Sequence, residues 1–219
     1  MLAYPPAGTP EHSITLSASG EAQVAPDTAE IELSVLTEGK TPQEVQRENT
    51  QKMNAIIDFI KSNTIQEKDI KTATYSLYPK YEYTRGQSSI IGYTLTQSLR
   101  VKLHDLAKVG IILEGATSHG ANQVGDVRFF VDDPDQFKEV ARKEAFEKVR
   151  GKAEELSRVT GVTLGRIISF SESGGDFPPP VFYGKADAYG MGGAAAAAPE
   201  LQGGTQDITV TVSVTYRIE

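Results

Sequence analysis

The chain has 219 residues, enough for a sizeable hydrophobic core, and a formal net charge of −7. Its acidity argues against a duplex-DNA binder, which needs a basic face, and its lack of cysteine excludes thiol nucleophiles, disulfides and cysteine-based zinc sites. No apolar run reaches 18 residues, so we expect no membrane-spanning segment.

The Pro-rich start of the chain predicts a disordered tail over residues 1–12. This start lacks the charged segment and the apolar core of a signal peptide. We expect either that the protein is not exported or that its signal has already been removed. A periplasmic or envelope location and a cytoplasmic location are therefore alternatives at this point.

Alternating apolar residues predict two strands on either side of a Pro-Asp step. The first strand alternates over residues 14–24 and the second over residues 29–35. The buried parity changes at Pro26-Asp27, so the chain must bulge or turn there, and Asp27 is expected to accept backbone N–H groups of that turn. We interpret the step as a hinge between strands rather than as a small-molecule or metal site.

A helix is predicted from Pro42 to Ser62. Thr41 is a good N-cap, Pro42 suits the first helical position, and Glu44 completes a capping box. The residues with helical spacing form one predominantly apolar stripe: Val45, Asn49, Met53, Ile56, Ile57 and Ile60.

The next segment predicts a β-hairpin with arms at residues 69–83 and 90–104 and a turn at residues 85–89. Pro79 places the first arm at a sheet edge or a bulge. The hairpin is rich in tyrosine: Tyr75, Tyr78, Tyr81, Tyr83 and Tyr93. Tyrosines can stack on nucleic-acid bases, but no basic groove accompanies these, so we favour packing and a protein interface that includes Tyr81 and Tyr83.

Three further elements follow the hairpin. A short helix capped by Asp105 ends near Gly120, and a strand covers residues 123–133. The longest helix is predicted from Pro134, with Asp133 as its cap, to residue 160, and Gly161 ends it. Another strand is predicted over residues 164–173.

Residues 174–205 interrupt this pattern as a low-complexity insertion, because 19 of the 32 residues are Gly, Pro or Ala. The insertion carries more apolar side chains than a plain linker needs, and these are candidate subunit contacts: Phe177, Phe182, Tyr183, Tyr189 and Met191. Faultless alternation then predicts a final strand over residues 207–219.

The predicted order is ββ-α-ββ-α-β-α-β-β, which is typical of an α+β fold with largely antiparallel sheet packed against a few helices. The last strand is expected to pair with strands distant in sequence. We therefore expect residues 13–219 to form a single domain that contains the insertion.

No catalytic or metal-binding constellation stands out. The histidines lie outside any metal-binding pattern and are interpreted as surface or capping residues: His12, His104 and His119. Asp132, Asp133 and Asp135 precede a helix, where capping is a better interpretation than cation binding. No acid–base pair with an orienting partner can be selected, so we predict no enzyme activity, no cofactor and no metal.

Several segments resemble the SIMPL-domain family. The opening signature is "SASGEAQVAPDTAEIELSV", the central hairpin and helix are "DIKTATYSLYPKYEY" and "IIGYTLTQSLRVKLHDLAKVGIILEGATSHGAN", and the long helix with its strand is "ARKEAFEKVRGKAEELSRVTGVTLGRIISFSES". The resemblance extends over residues 13–219, including the insertion before "VTVSVTYRIE". Positions in these motifs are expected to be structural: Gly20, Pro26, Asp27, Gly92, Gly161 and Gly165.

The resemblance implies location and assembly more than chemistry. It implies an exported protein of the periplasm or outer envelope, since bacterial members are mostly exported and some are strong antigens. One group is described as oxidative-stress defence proteins, one bacterial member forms a large ring-like, channel-like oligomer, and a eukaryotic member binds a signalling kinase. The family supplies no catalytic residues to carry over.

Three functional hypotheses follow. The leading one is a non-enzymatic envelope protein that forms a homo-oligomer and contributes to defence against oxidative stress. It is not expected to bind nucleic acid. The second is a module that binds another protein through the tyrosine-rich hairpin, and the third is a hydrolase or metal enzyme with an atypical site. With no cysteine and three methionines, oxidative protection would not act by direct thiol scavenging.

Overall fold

The computed structural model describes residues 12–84, 87–174 and 203–219, and this part of the chain has an α+β fold as predicted. These described residues contain seven strands in two sheets, and every strand pairing among them is antiparallel. The elements are β1 (Ser13–Val24), β2 (Thr28–Gly39), α1 (Pro42–Ser62), β3 (Ile70–Thr84), β4 (Gln87–Leu103), α2 (Lys108–Ser118), β5 (Gln123–Phe130), α3 (Asp135–Thr160), β6 (Leu164–Gly174) and β7 (Gln206–Ile218), with a short 3₁₀-helix at Glu67–Asp69.

Helix α1 has the predicted bounds because its N-terminal chemistry is local. The Thr41 side chain accepts a hydrogen bond from the Glu44 backbone N–H, and the Glu44 carboxylate accepts one from the Lys40 N–H. The stripe predicted from the sequence faces the core, with Ile56 fully buried. Asn49 is also fully buried, and its amide group donates to the Val35 carbonyl and the Thr37 hydroxyl.

Helices α2 and α3 begin later than predicted. The Asp105 carboxylate accepts a hydrogen bond from the Ala107 N–H, so it caps a turn, and α2 begins only at Lys108. The Asp133 carboxylate likewise accepts from the Asp135 N–H, and Pro134 occupies the N-cap position rather than the first turn of α3. Both aspartates bond two residues ahead, which shifts the start of the following helix.

The described residues divide into two compact units, which we name by their position in the sequence. The terminal unit contains residues 12–25, 133–174 and 205–219, and the central unit contains residues 26–132 together with 203–204. The central unit is thus inserted in the sequence of the terminal unit. The prediction that residues 13–219 form a single domain stays a prediction.

The terminal unit consists of a three-stranded sheet, in the order β1-β7-β6, and helix α3. Strand β7 is central and pairs with β1, about 200 residues away, as its alternation and late position predicted. Helix α3 packs on β1 and β7, and its buried stripe is made of small residues and one valine: Ala141, Ala145, Val149 and Ala153.

Gly20 explains how closely α3 approaches β1. A Cβ atom at this position would lie 2.6 Å from the Ala145 backbone nitrogen and still closer to the Ala141 carbonyl oxygen. Neither atom can rotate away, since both belong to the helix backbone. Glycine is therefore required here by the distance between strand and helix rather than by a special backbone angle.

The central unit consists of a four-stranded sheet, in the order β3-β4-β2-β5, with α1 and α2 packed on it. Its core combines alternate residues of β2 and β4 with the apolar faces of both helices, and the largest fully buried members include Ile31, Leu33, Leu99 and Ile112. Pro79 lies on β3, which is an edge strand, as predicted.

Some predictions fall wholly or partly outside the described residues. The candidate subunit contacts in the insertion are among these: Phe177, Phe182, Tyr183, Tyr189 and Met191. The predicted hairpin turn is partly wrong, because β4 already begins at Gln87.

Candidate functional site

The hairpin of β3 and β4 extends beyond the strand that supports it. Pairing of β4 with β2 ends where Tyr93 lies opposite Gly39, whereas pairing of β4 with β3 continues to Gln87 opposite Thr84. Residues 79–84 and 87–92 therefore form a two-stranded extension, which we call the hairpin ribbon. An extension without a third strand exposes more of its side chains than the body of a sheet does.

One face of the hairpin ribbon carries an aromatic stripe. Tyr81 and Tyr83 are two residues apart on β3, so they share a face, and their ring centroids lie 6.5 Å apart. Ile90 lies opposite Tyr81 and adds an apolar side chain to the same face. The stripe continues the alternation of Leu77, whose cross-strand partner Leu95 is fully buried in the core.

The stripe is exposed. Tyr81 is 48% and Tyr83 is 79% exposed, and Tyr75, further along the same face of β3, is also about half exposed. If each large side chain contributes about half of ~200 Å², the face presents on the order of 400 Å² of exposed apolar and aromatic surface. Patches of this size on a single chain are often functional.

The electrostatics around the stripe do not favour nucleic acid. Lys80 points its ammonium group at the Glu38 carboxylate, 2.8 Å away, so its charge is already paired. Glu82 lies between the two stripe tyrosines in sequence. A base-stacking surface normally follows a positively charged groove, which this face does not provide.

Strand addition at the β3 edge is opposed by two features. Pro79 has no backbone N–H to donate to a new strand, and the β3–β4 pairing is irregular between Thr72 and Thr74 and between Lys80 and Tyr81. A partner is therefore expected to contact the side chains of the aromatic stripe rather than to extend the sheet.

Hydrogen bonds of Asp27, in the Pro-Asp step, join the start of the central unit to its end. The Asp27 backbone N–H donates to the Phe130 carbonyl at 3.2 Å, and the Asp27 carboxylate accepts from the Asp132 N–H at 2.9 Å. Asp27 was predicted to accept backbone N–H groups of its own turn. It does accept a backbone N–H, but from a residue 105 positions later, at the end of β5.

Two of the three remaining signature glycines lie where a side chain would be unfavourable. Gly92 lies beside the Gly39 carbonyl oxygen, 2.8 Å from where a Cβ atom would be, so it permits close contact where the hairpin ribbon leaves β2. Gly161 ends α3 in the left-handed region, at φ 72°. A Cβ atom at Gly165 would meet only the end of the Glu219 side chain, which is flexible and can move aside, so the structure does not require glycine there.

A polar cluster in the central unit has the composition, but not the geometry, of a nucleophilic site. His104 Nδ1 lies 3.4 Å from the Thr28 hydroxyl, and Nε2 lies 3.6 Å from the Asp69 carboxylate. The second distance is too long for a hydrogen bond, and Thr28 is only 1% exposed. This cluster does not present a hydroxyl to a substrate.

The acidic residues around the start of α3 form hydrogen bonds and ion pairs within the protein. The Lys102 ammonium donates to the Asp132 carboxylate at 2.6 Å, and this hydrogen bond lowers the pKa of Asp132 and raises the pKa of Lys102. Asp133 caps a turn, and Asp135 pairs with Lys138. Within the described ranges, no group of three or more His, Asp or Glu side chains is arranged to hold a metal ion.

Among the helices of the described ranges, none has the length and hydropathy needed to cross a membrane.

Comparison with known proteins identifies the family of this chain. A family model named SIMPL, protein of unknown function (DUF541), matches residues 14–216. The chain belongs to the SIMPL family.

SIMPL relatives include named bacterial proteins. The chain is 32% identical over 216 residues to the 26 kDa periplasmic immunogenic protein of Brucella melitensis biotype 1, covering 94% of this chain and 84% of that protein. It is 29% identical over 177 residues to the uncharacterized protein YggE of Escherichia coli K12, covering 80% and 72% of the two chains. YggE of Edwardsiella ictaluri is 30% identical over 169 residues, covering 77% and 70%.

Proposed function

We propose that this SIMPL-family protein is an exported, non-enzymatic protein of the periplasm or envelope that self-assembles through the aromatic stripe of its hairpin ribbon. The observation that carries this proposal is the exposure of Tyr81 and Tyr83 on a part of the hairpin that β2 does not support. Tyrosine is enriched at protein interfaces because its ring is apolar and its hydroxyl can still bond.

The exposed area of the aromatic stripe is smaller than the area that a standard interface buries. On the order of 400 Å² is about half of the ~800 Å² that each partner buries in a standard interface. The stripe therefore acts as the apolar centre of a contact whose rim comes from neighbouring polar side chains.

The name of one relative supports the proposed location. The Brucella protein is named as periplasmic and is similar over nearly the whole of this chain, which supports export. Fractionation of the source cells tests this directly, since recovery in the cytoplasmic fraction alone would contradict it.

A contribution to oxidative-stress defence, implied by the family resemblance, would depend on assembly rather than on redox chemistry of cysteine, which the chain lacks. A hydrogen peroxide survival assay of cells that produce either the original protein or an assembly-deficient variant tests this link. Equal survival with the two proteins would contradict it.

Self-assembly is tested by light scattering coupled to size-exclusion chromatography over a micromolar concentration series. We expect an oligomer, and we expect Tyr81→Ser with Tyr83→Ser to weaken association at least tenfold. Tyr78→Ser is the matched control, because Tyr78 lies on the same strand, is 66% exposed and faces the other side of the sheet.

Two results would contradict self-assembly through this stripe. One is a monomer at every micromolar concentration, which would favour the second hypothesis, binding of a different protein through the same tyrosines. The other is equal weakening by Tyr78→Ser and by the paired stripe substitutions. The non-enzymatic part of the proposal is tested by metal analysis and by a screen of ester and phosphate substrates, in which reproducible turnover would contradict it.

A further inference from the structure

The two edges of the terminal-unit sheet differ in how they are protected. Strands β1 and β6 are these edges, since the strand order is β1-β7-β6. On the β1 edge, the Glu21 N–H donates to the Glu144 carboxylate of α3 at 2.7 Å, and the Lys148 ammonium of α3 donates to the Ser19 carbonyl at 3.1 Å. Because side chains already occupy these backbone groups, another strand cannot pair there without displacing them.

Strand β6 lacks this protection. Among the described residues, no side chain of α3 bonds to its backbone, and the strand contains neither lysine nor proline, two residues that commonly guard an edge. Its one carboxylate, on Glu172, is held by two hydrogen bonds from the Arg142 guanidinium, at 2.7 and 2.9 Å. Helix α3 packs on β1 and β7, so Ile167 and Phe170 of β6 are 54% and 65% exposed.

The register of the sheet shows which backbone groups of β6 point outward. In an antiparallel sheet, the N–H and C=O of one residue point to the same side, and successive residues alternate. Ser19 points away from β7, so its partner Thr211 points toward β6 and bonds to Ser173. The backbone groups of Phe170 and Glu172 therefore point away from β7, at the outer edge of β6.

The sheet face away from α3 carries rows of hydroxyl groups that end at β6. The hydroxyls of β1 and β7 bond in pairs, as Ser17 does with Ser213 at 2.8 Å. Ser171 lies opposite Ser213 on the other side, yet its hydroxyl has no hydrogen-bond partner among the described residues. The same is true of Ser169 and Ser173. A further strand with hydroxyls at this spacing would extend the rows.

We propose that β6 pairs with β6 of a second copy of this chain, antiparallel and about a two-fold axis at Ser171. This register places Ser171 opposite Ser171, Ser169 opposite Ser173, and Phe170 opposite Glu172. It uses the part of β6 whose pairing with β7 is free of register shifts. It also keeps the two Glu172 carboxylates from lying directly opposite each other, which would be unfavourable.

A second copy fits this edge because the edge is complementary to itself, as a two-fold contact requires. A serine hydroxyl both donates and accepts, so identical rows can bond to each other. The chain carries a net charge of −7, but the Arg142–Glu172 pair leaves no unpaired carboxylate at the contact. Pairing of β6 with β1 of the next copy is opposed, since α3 side chains occupy that edge.

The contact is small. Ile167, Ile168 and Phe170 are 54%, 41% and 65% exposed, so at about half of ~200 Å² each they present roughly 300 Å² per copy. Twice this area, with the backbone edges added, lies at the small end of specific interfaces, and we expect micromolar rather than nanomolar association. This interface is separate from the aromatic stripe and does not rest on it.

The absence of cysteine makes disulfide cross-linking a direct test. Residues opposite each other outside the hydrogen-bonded pairs have Cα atoms about 4.5 Å apart, a distance that a disulfide spans. Under mild oxidation of the full chain at micromolar concentration, Ser171→Cys should form a covalent dimer at least tenfold faster than Ser17→Cys. Ser17 is the matched control, since it lies on the same sheet face but on the protected edge, where its carbonyl accepts from Lys152.

Charge substitutions test the register. Added to Ser171→Cys, Phe170→Glu places a carboxylate opposite Glu172 of the second copy and should slow cross-linking at least tenfold, whereas Phe170→Lys should slow it less. Val140→Glu is the control, because it adds the same charge at a 58% exposed position of α3.

The same measurements with Tyr81→Ser and Tyr83→Ser present separate this interface from the aromatic stripe. Cross-linking through β6 should be unchanged, so failure of the stripe and failure of β6 pairing give different results. Circular dichroism shows whether each variant keeps its fold.

The proposal is overturned if Ser171→Cys cross-links no faster than Ser17→Cys, or if Val140→Glu slows cross-linking as much as Phe170→Glu does. It is also overturned if purified Ser171→Cys forms no dimer but cross-links to a different protein in an envelope extract, which would assign this edge to a strand of that partner.

Discussion

Replacing Gly20 with alanine should push α3 away from β1. Ordinary Cβ contacts begin at 3.4 Å, whereas the added methyl group would lie 2.6 Å from the Ala145 nitrogen and closer to the Ala141 oxygen. The helix backbone must therefore retreat by roughly 1 Å or more in a core that is close-packed. Overpacking costs about 1–3 kcal/mol, and since the obstructing atoms are backbone, we expect the upper end, about 3 kcal/mol.

The control is the same substitution elsewhere in the terminal unit. Gly151 lies within α3, and a Cβ atom there would meet nothing within 4 Å. Gly151→Ala should therefore stabilise the protein by about 0.5–1 kcal/mol, because alanine is the better helix former. The same glycine-to-alanine change is therefore expected to lower the free energy of unfolding at Gly20 and to raise it at Gly151.

Urea unfolding followed by far-ultraviolet circular dichroism measures both effects, and hydrogen exchange of the α3 amides localises them. The reasoning is refuted if Gly20→Ala changes the free energy of unfolding by less than about 0.5 kcal/mol, the range of an ordinary surface substitution. It is also refuted if both substitutions stabilise the protein.

Two further predictions concern hydrogen-bonded carboxylates. Asp27→Ala should lower the free energy of unfolding by about 1–2 kcal/mol, because the Asp132 N–H loses its acceptor. Asp27→Asn keeps an acceptor oxygen and should lower it less. Equal urea midpoints for the two variants would contradict this role of Asp27. Glu144 accepts a hydrogen bond from the Glu21 N–H, which lowers the pKa of Glu144 below the usual value of a glutamate. Its contribution to stability is therefore present above the unfolded-state pKa and is lost as the pH falls through the folded-state pKa. Thermal melts from pH 6 to pH 2.5 should show a shallower acid decline for Glu144→Gln, and an unchanged decline would count against this linkage.

The sequence predicts those elements whose determinants lie close together in the chain. Helix α1 is confirmed to the residue because Thr41 and Glu44 complete its cap within one turn. Strand β7 is confirmed because uninterrupted alternation allows no other interpretation. Helices α2 and α3 begin later than predicted from Asp105 and Asp133. An aspartate that caps a turn has the same local sequence signal as one that caps a helix.

The candidate sites were less accessible from the sequence because they depend on long-range pairing. The tyrosines of the hairpin were singled out, but their exposure depends on where β2 stops pairing, at Gly39. The acceptor role of Asp27 could be predicted, whereas its partner Asp132 could not. Ile167 and Phe170 have the sequence pattern of core residues in a strand, and their exposure depends on β6 being an edge strand that α3 does not cover.

The pairing of β1 with β7 has a consequence for synthesis. Ser13 lies opposite Arg217, so β1 leaves the ribosome roughly 200 residues before the strand it pairs with. At about 5–20 residues per second, that interval is on the order of ten to forty seconds. During this time the central unit, whose strands and helices are contiguous in the chain, can complete its folding. Strand β1 meanwhile remains unpaired, with one apolar face that a chaperone could recognise. A premature stop just before β7 would therefore leave the first strand of the protein, and not only its end, without a partner.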